Sequence, residues 1–175
     1  MSTLFSVRCL TKNAVIAALY IAITYALSFA SYGNIQFRFS EVMVFLAFID
    51  PFYIPGLTIG CFFANLFGPF GLIDAIFGSV ATLYSVVMIA LTPRILKKLK
   101  LNLPLFMQLF IASLWPVSSS LLLGFEIAYA SSFAESFLLW SLSIAIGEFV
   151  VISVIGVPVF AYVLKKFPNF SEKLL

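Results

Sequence analysis

The sequence predicts an all-α integral membrane protein with about six transmembrane helices, and three observations carry that prediction. Hydrophobic residues make up 63% of the chain and charged residues 10%, with a mean hydropathy of +1.15, whereas soluble domains carry roughly a quarter charged residues. The apolar residues fall in runs, and a helix needs about 20 of them to cross a bilayer. The bases gather in three clusters instead of coating the chain. With 175 residues the protein has length for about six such helices and their turns. It is read as a single transmembrane domain spanning 1–175, with helices at about 12–31, 39–50, 53–68, 71–93, 104–126 and 135–166.

The first helix follows Arg8 and Lys12. Ser28-Phe29-Ala30 after its apolar run imitates a signal-peptide cleavage site, a reading set aside because further spans follow. Ala14, Ala18 and Ala22 recur every four residues on one face, a small-xxx-small pattern that lets another helix, internal or foreign, approach closely. The second helix opens in IQFRFSE, where Ser40 is a candidate N-cap, and stops at Asp50-Pro51, where the carboxylate is read as structural. Gly56, Gly60, Gly68, Gly71 and Gly78, with Pro51, Pro55 and Pro69, crowd the middle of the chain. Such residues favour close backbone approach and tight turns. In the fifth helix Pro116 follows Trp115, and the missing proline N–H predicts a kink, with Ser118, Ser119 and Ser120 available for the freed backbone groups.

Orientation follows from the bases. Arg8 and Lys12 precede the first helix, Arg94, Lys97, Lys98 and Lys100 follow the fourth, and Lys165, Lys166 and Lys173 follow the sixth. Six spans place all three clusters on one side, which the positive-inside rule makes cytoplasmic along with both termini. The outer connections are then about 32–38, 68–71 and 126–135, carrying Glu126, Glu135 and the single base Arg38. The formal charge of +3 is a topology signal rather than a nucleic-acid patch. The chain has no histidine, and its two cysteines, Cys9 and Cys61, lack metal-ligand spacing, which argues against catalytic metal sites and histidine triads. The cysteines are read as plain small apolar residues.

Ionisable groups are expensive in hydrocarbon and mark functional sites there. Arg38 and Glu41 stand three apart at the outer end of the second helix, as an ion pair or as the entrance for a polar solute. Asn65 and Asp74 flank the Gly68-Pro69-Phe70-Gly71 turn at matching depth on adjacent antiparallel helices. Asn65 also suits interhelical hydrogen bonding, and Asp74 gains from a helix N-terminus. Glu148 lies about 20 Å into the last helix by helical rise, beside Gly147 and with no basic neighbour, so it needs a cavity, a partner or a proton. Trp115 is a candidate stacking face.

The block IQFRFSE, the stretch IPGLTIGCFFANLFGPFGLIDAIFGSVATL and the IGE of the last helix resemble the QueT family, substrate-binding S components of energy-coupling factor transporters associated with queuosine precursors. The resemblance runs from the alanine face of the first helix to Glu148. It implies an S-component fold in the cell membrane of a bacterium that captures its solute near the outer face. It also implies docking through Ala14, Ala18 and Ala22 onto a transmembrane T component joined to two cytoplasmic ATPases. No cofactor is implied in this chain, with ATP and Mg held by the partner ATPases. The expected cargo is a queuosine precursor or related 7-deazaguanine, bound by Arg38, Glu41, Asn65, Asp74 and Glu148. The ring's guanidine-like edge suits a carboxylate and its carbonyl suits Arg or Asn. Two other classes stay open at this point: a proton-coupled transporter in which Glu148 titrates, and a membrane-embedded acid–base enzyme.

Overall fold

A computed structural model describes residues 7–31, 36–68, 70–131 and 136–167. Ile35, Pro69, Glu135 and Lys173 lie outside the described residues. Among those described the chain is entirely helical. Helix α1 spans Val7–Ala26 and a single turn, α2, spans Ser28–Ser31. A 3-10 helix over Phe39–Phe45 runs into α3, Leu46–Ile49. A second 3-10 turn, Pro51–Tyr53, leads into α4, Ile54–Leu66. Then come α5 (Leu72–Lys98), α6 (Leu105–Ala130) and α7 (Phe137–Glu148). A π-helical stretch over Phe149–Gly156 joins α7 to α8, Val157–Lys166.

Among the described residues four helical stretches are long and apolar enough to cross a membrane: Cys9–Ala26, Leu72–Lys98, Leu105–Ala130 and Phe137–Lys166. Phe39–Ile49 and Pro51–Leu66 are apolar but shorter. The composition and these helices make the chain a multi-pass membrane protein. Helical residues lie over each expected range with shifted ends, those at 39–50 being largely 3-10. The fourth continues through Pro93 and carries Arg94, Lys97 and Lys98 inside its last turns. The fifth extends to Ala130, which draws Glu126 into a helix and buries it, although the sequence placed it in a connection. The last helix is interrupted by the π segment immediately after Glu148; π-helical geometry within α-helices recurs at functional sites.

Side-chain bonds give the register. Residues Asn13, Tyr20 and Tyr25 of α1 meet Gly56, Gly60 and Phe63 of α4 in the same order, so these two helices run parallel. Helices α4 and α5 are antiparallel, since Asn65 lies against Gly78 and Cys61 against Thr82. The same reversal appears between α5 and α6, where Tyr84 meets Ser118 and Thr92 meets Trp115. It recurs between α6 and the last helical stretch, where Gly124 meets Ser141 and Ser113 meets Ser153. Close packing explains the glycines: a Cβ on Gly56 would stand 2.7 Å from the Asn13 carbonyl oxygen, and one on Gly60 2.9 Å from Tyr20 Cβ. Gly71 is required for another reason, because it enters α5 at φ 59°, where a side chain is strained.

The register also sorts the ends. Thr11, Lys12 and Tyr53 line one recess of about 450 Å³, and Asp50, Pro55 and Arg94 line another of about 320 Å³. The start of α1, the Asp50 junction and the end of α5 therefore share a basic end. Asp50 accepts a hydrogen bond from Phe52 N–H at 3.0 Å, the structural role expected of it. Ser40 is not a cap. Arg38 occupies the N-cap position, without a side-chain capping bond, and Ser40 lies inside the helix, accepting from Thr24 Oγ1 at 2.8 Å.

Helix α6 passes through Pro116 as one continuous helix. Ser118, Ser119 and Ser120 donate to the carbonyls of Trp115, Pro116 and Val117 at 2.6–2.7 Å, not to the Ala112 carbonyl that the proline leaves unbonded, because a serine hydroxyl reaches only one turn back along its own helix.

Candidate functional site

Opposite the basic end, six ionisable or amide side chains converge inside the bundle. Asn65 and Glu126 are 1% exposed, and Arg38, Glu41, Asp74 and Glu148 are each 6% exposed. They come from five elements. Arg38 and Glu41 open the 3-10 helix, Asn65 ends α4, Asp74 sits in the first turn of α5, Glu126 lies in the last turns of α6 and Glu148 closes α7.

Arg38 is the electrostatic centre. Its guanidinium attracts Glu41 and Asp74, Glu126 and Glu148. The antiparallel register puts these acids in two tiers. Glu126 faces Asp74 where α5 and α6 bring Phe77 and Phe125 together, forming a tier near the end of the bundle. About two turns deeper, roughly 12 Å by helical rise, Glu41 lies beside Thr82 and shares the field of Arg38 with Glu148.

The five residues singled out by sequence thus share one site, but they differ in how fully they are used by the protein itself. Glu41 accepts a hydrogen bond from the Tyr20 hydroxyl and lies within reach of Thr82. Asn65 donates to Cys61 Sγ at 3.2 Å. Its amide nitrogen also fills the space where a Gly78 Cβ would be, 2.0 Å away. Thr82 Oγ1 donates to the same sulfur at 3.1 Å, so Cys61 is an acceptor at a helix junction and not the inert apolar residue its spacing suggested. These bonds hold α1, α4, α5 and the 3-10 helix together.

Other atoms in the site are buried with no hydrogen-bond partner: Arg38 Nε, Glu148 Oε2, Glu126 Oε1, Ser141 Oγ and Gln36 Oε1. Leaving such a group unsatisfied costs about 1–3 kcal/mol, more for a charged one, so a concentration of them marks where a ligand or water completes the structure. Glu126, Ser141 and Gln36 were missing from the sequence-derived site. Ser141 lies seven residues before Glu148, two turns up the same helical face. Gln36 packs its backbone on α7, its carbonyl oxygen 2.2 Å from where a Gly147 Cβ would stand. Alternation of Gln36, Arg38 and Ser40 with phenylalanines was the available signal for it.

Trp115 does not join the site. Its Nε1 donates to Thr92 Oγ1 at 3.1 Å and its ring meets Tyr84 edge-on. Thr92 is about 27 Å from Asp74 along α5 by helical rise. A polar tryptophan tip found its partner in the neighbouring helix instead.

Residues 10–166 match the QueT transporter family. The chain belongs to that family. One relative, the queuosine precursor transporter QueT of Lactococcus lactis subsp. cremoris (strain MG1363), is 47% identical over 72 residues, covering 40% of this chain and 42% of that protein. The chain therefore aligns with less than half the length of that relative. No solved structure matches the chain. Membership makes this multi-pass protein a member of a transporter family, and it gives the buried polar site of this QueT-family chain a context in solute movement.

The alanine face is resolved by the packing. Asn13, Ala17 and Tyr20 are the α1 positions that meet α4, while Ala14, Ala18 and Ala22 are exposed on the other side. The small-residue stripe is not consumed by internal packing.

Proposed function

We propose that this protein is the solute-capturing membrane subunit of an ATP-driven importer of the energy-coupling-factor type, in the cell membrane of a bacterium, and that its cargo is a queuosine precursor or related 7-deazaguanine. It folds as one transmembrane domain. The four long helical stretches and the two short apolar ones make six spans, with the basic end and both termini cytoplasmic by the positive-inside rule. The polar site then faces outward.

The observation that carries this reading is that the buried, unpartnered side-chain atoms among the described residues fall on Arg38, Glu126, Glu148, Ser141 and Gln36. A carboxylate of Glu148 accepts the paired N–H groups of the guanidine-like edge, and Arg38 Nε donates to the ring carbonyl; both are charge-assisted bonds in a desolvated site. Asp74 completes the outer tier. Glu41 and Asn65, fixed by Tyr20 and Cys61, shape the pocket wall. The exposed stripe of Ala14, Ala18 and Ala22 offers a close-approach face to a T component. Two partner ATPases supply ATP and Mg chemistry, and this chain catalyses no reaction.

The purified protein is expected to bind a 7-deazaguanine by calorimetry in detergent without any partner and without a proton gradient. Uptake into vesicles should require the T component and the ATPases. Replacing Ala18 with Leu is expected to leave binding by the isolated chain within twofold and to reduce uptake by the assembled importer at least tenfold. Uptake by the chain alone under a proton gradient would replace this reading with a proton-coupled one, and turnover of a bound compound would make it an enzyme.

A further inference from the structure

We propose that Glu126, paired with Asp74, is a seat for a ligand ammonium group, so that the pocket selects a protonated aminomethyl 7-deazaguanine over the neutral nitrile form. The inference rests on the function proposed above and deepens it.

Glu126 faces Asp74 across the α5–α6 interface, one residue beyond the level where the Phe77 and Phe125 rings meet at 6.3 Å. Two carboxyl groups facing each other need something positive between them. An ammonium group can take that place and bond to both. Glu126 also has a second demand. Its Oε1 is buried and unbonded, in a residue 1% exposed. Ser141, 4% exposed, likewise has an unbonded hydroxyl, and its backbone and side chain lie against Gly124, two residues before Glu126.

The inventory of open atoms points the same way. Gln36 Oε1, Glu126 Oε1 and Glu148 Oε2 accept, Ser141 Oγ does either, and Arg38 Nε alone only donates. A ligand that completes this site must offer more donors than acceptors. The nitrile adds an acceptor; the aminomethyl group adds three N–H donors and a positive charge. The charge fits as well, because among the described residues Arg38 faces Glu41, Asp74, Glu126 and Glu148 as the one buried cation. The two tiers match the molecule: its guanidine-like edge and its aminomethyl nitrogen lie at opposite ends of the ring system. One end meets Glu148 while the other meets Asp74 and Glu126, with Arg38 attracted to both tiers.

The test is calorimetric titration of the purified full chain with the aminomethyl and the cyano forms of 7-deazaguanine, in wild type, Glu126→Gln and Glu126→Asp, with thermal melting of each unliganded variant as the folding control. The wild type is expected to bind the amine at least tenfold tighter than the nitrile. Glu126→Gln should narrow that ratio below threefold, chiefly by weakening the amine, and Glu126→Asp should keep it above fivefold. Equal binding of the two forms by wild type, or an equal loss of both in Glu126→Gln, overturns the ammonium seat and leaves the import function standing. Failure of both compounds to bind a well-folded wild type overturns the import function and the seat together.

Discussion

Two polar regions lie inside this apolar bundle, and they behave differently. Midway along α6, Ser113 shares a hydrogen bond with Ser153 at 2.8 Å, Trp115 donates to Thr92, and Ser118, Ser119 and Ser120 bond to their own helix. No side-chain atom of that layer is buried without a partner among the described residues. At the far end of the same helices, Glu126, Glu148, Arg38, Ser141 and Gln36 each leave one atom open. The first region is glue, because each group found its partner in a neighbouring helix or in its own turn. The second cannot be completed by the protein alone. Burial of polar groups is common to both, and only the state of their hydrogen bonds separates a packing contact from a binding site.

The comparison is sharpened most by Glu148→Gln. A charge-assisted bond is worth about 1.5–3 kcal/mol, which is roughly a 10- to 150-fold loss of ligand affinity. Calorimetry should show that loss, with a melting temperature equal to or above that of wild type, since the change removes a buried charge. A melting temperature that falls in step with binding would put Glu148 among the glue.

Gly147→Ala acts through shape. The added Cβ would stand 2.2 Å from the Gln36 carbonyl oxygen, and backbone cannot yield as a side-chain tip can, so Gln36 and the adjoining Arg38 segment must shift. Overpacking of this kind costs about 1–3 kcal/mol. Both melting temperature and ligand affinity are expected to drop, affinity at least fivefold. Unchanged affinity would remove Gln36 and its segment from the site.

In the glue region, Ser113→Ala leaves the Ser153 hydroxyl without its partner, at a cost of about 1 kcal/mol. Thermal unfolding in detergent should register it while ligand affinity stays within twofold. The smallest effect is expected of Trp115→Phe, which keeps the ring and removes one hydrogen bond to Thr92, about 0.5–1.5 kcal/mol of stability, with binding again within twofold. A tenfold loss of binding in either variant would erase the distinction between the two regions.

Much of the fold was legible in the chain, because apolar runs of membrane length report directly on the solvent around them. Their ends were less so. Glu126 was placed in a connection since an acid in an apolar run usually marks its boundary, yet α6 continues past it to Ala130; among its neighbours the Arg38 guanidinium is the one that favours the carboxylate there. Ser40 has the chemistry of a cap, but Thr24 on α1 claims its hydroxyl. Of the candidate site residues, Arg38, Glu41, Asn65, Asp74 and Glu148 were visible as polar groups out of place in hydrocarbon. Ser141 was not, since an uncharged polar residue in a membrane helix is common and carries little information, and Gln36 showed only in its alternation with phenylalanines.

What the sequence determined alone is the solvent of each segment: which stretches lie in lipid, which end is basic, and which few groups are too expensive to be there without a reason. Those follow from transfer free energies, which are properties of single residues and their runs. The tertiary structure alone decided which of those groups are spent on one another. Cys61 takes up Asn65, Tyr20 takes up Glu41, and Glu126, a residue the sequence had left outside the site, joins Asp74. Hydrogen bonds are short and directional, so whether a buried polar atom is satisfied depends on the register between helices, and register is set by where Gly56, Gly60, Gly78 and Gly124 let their neighbours approach.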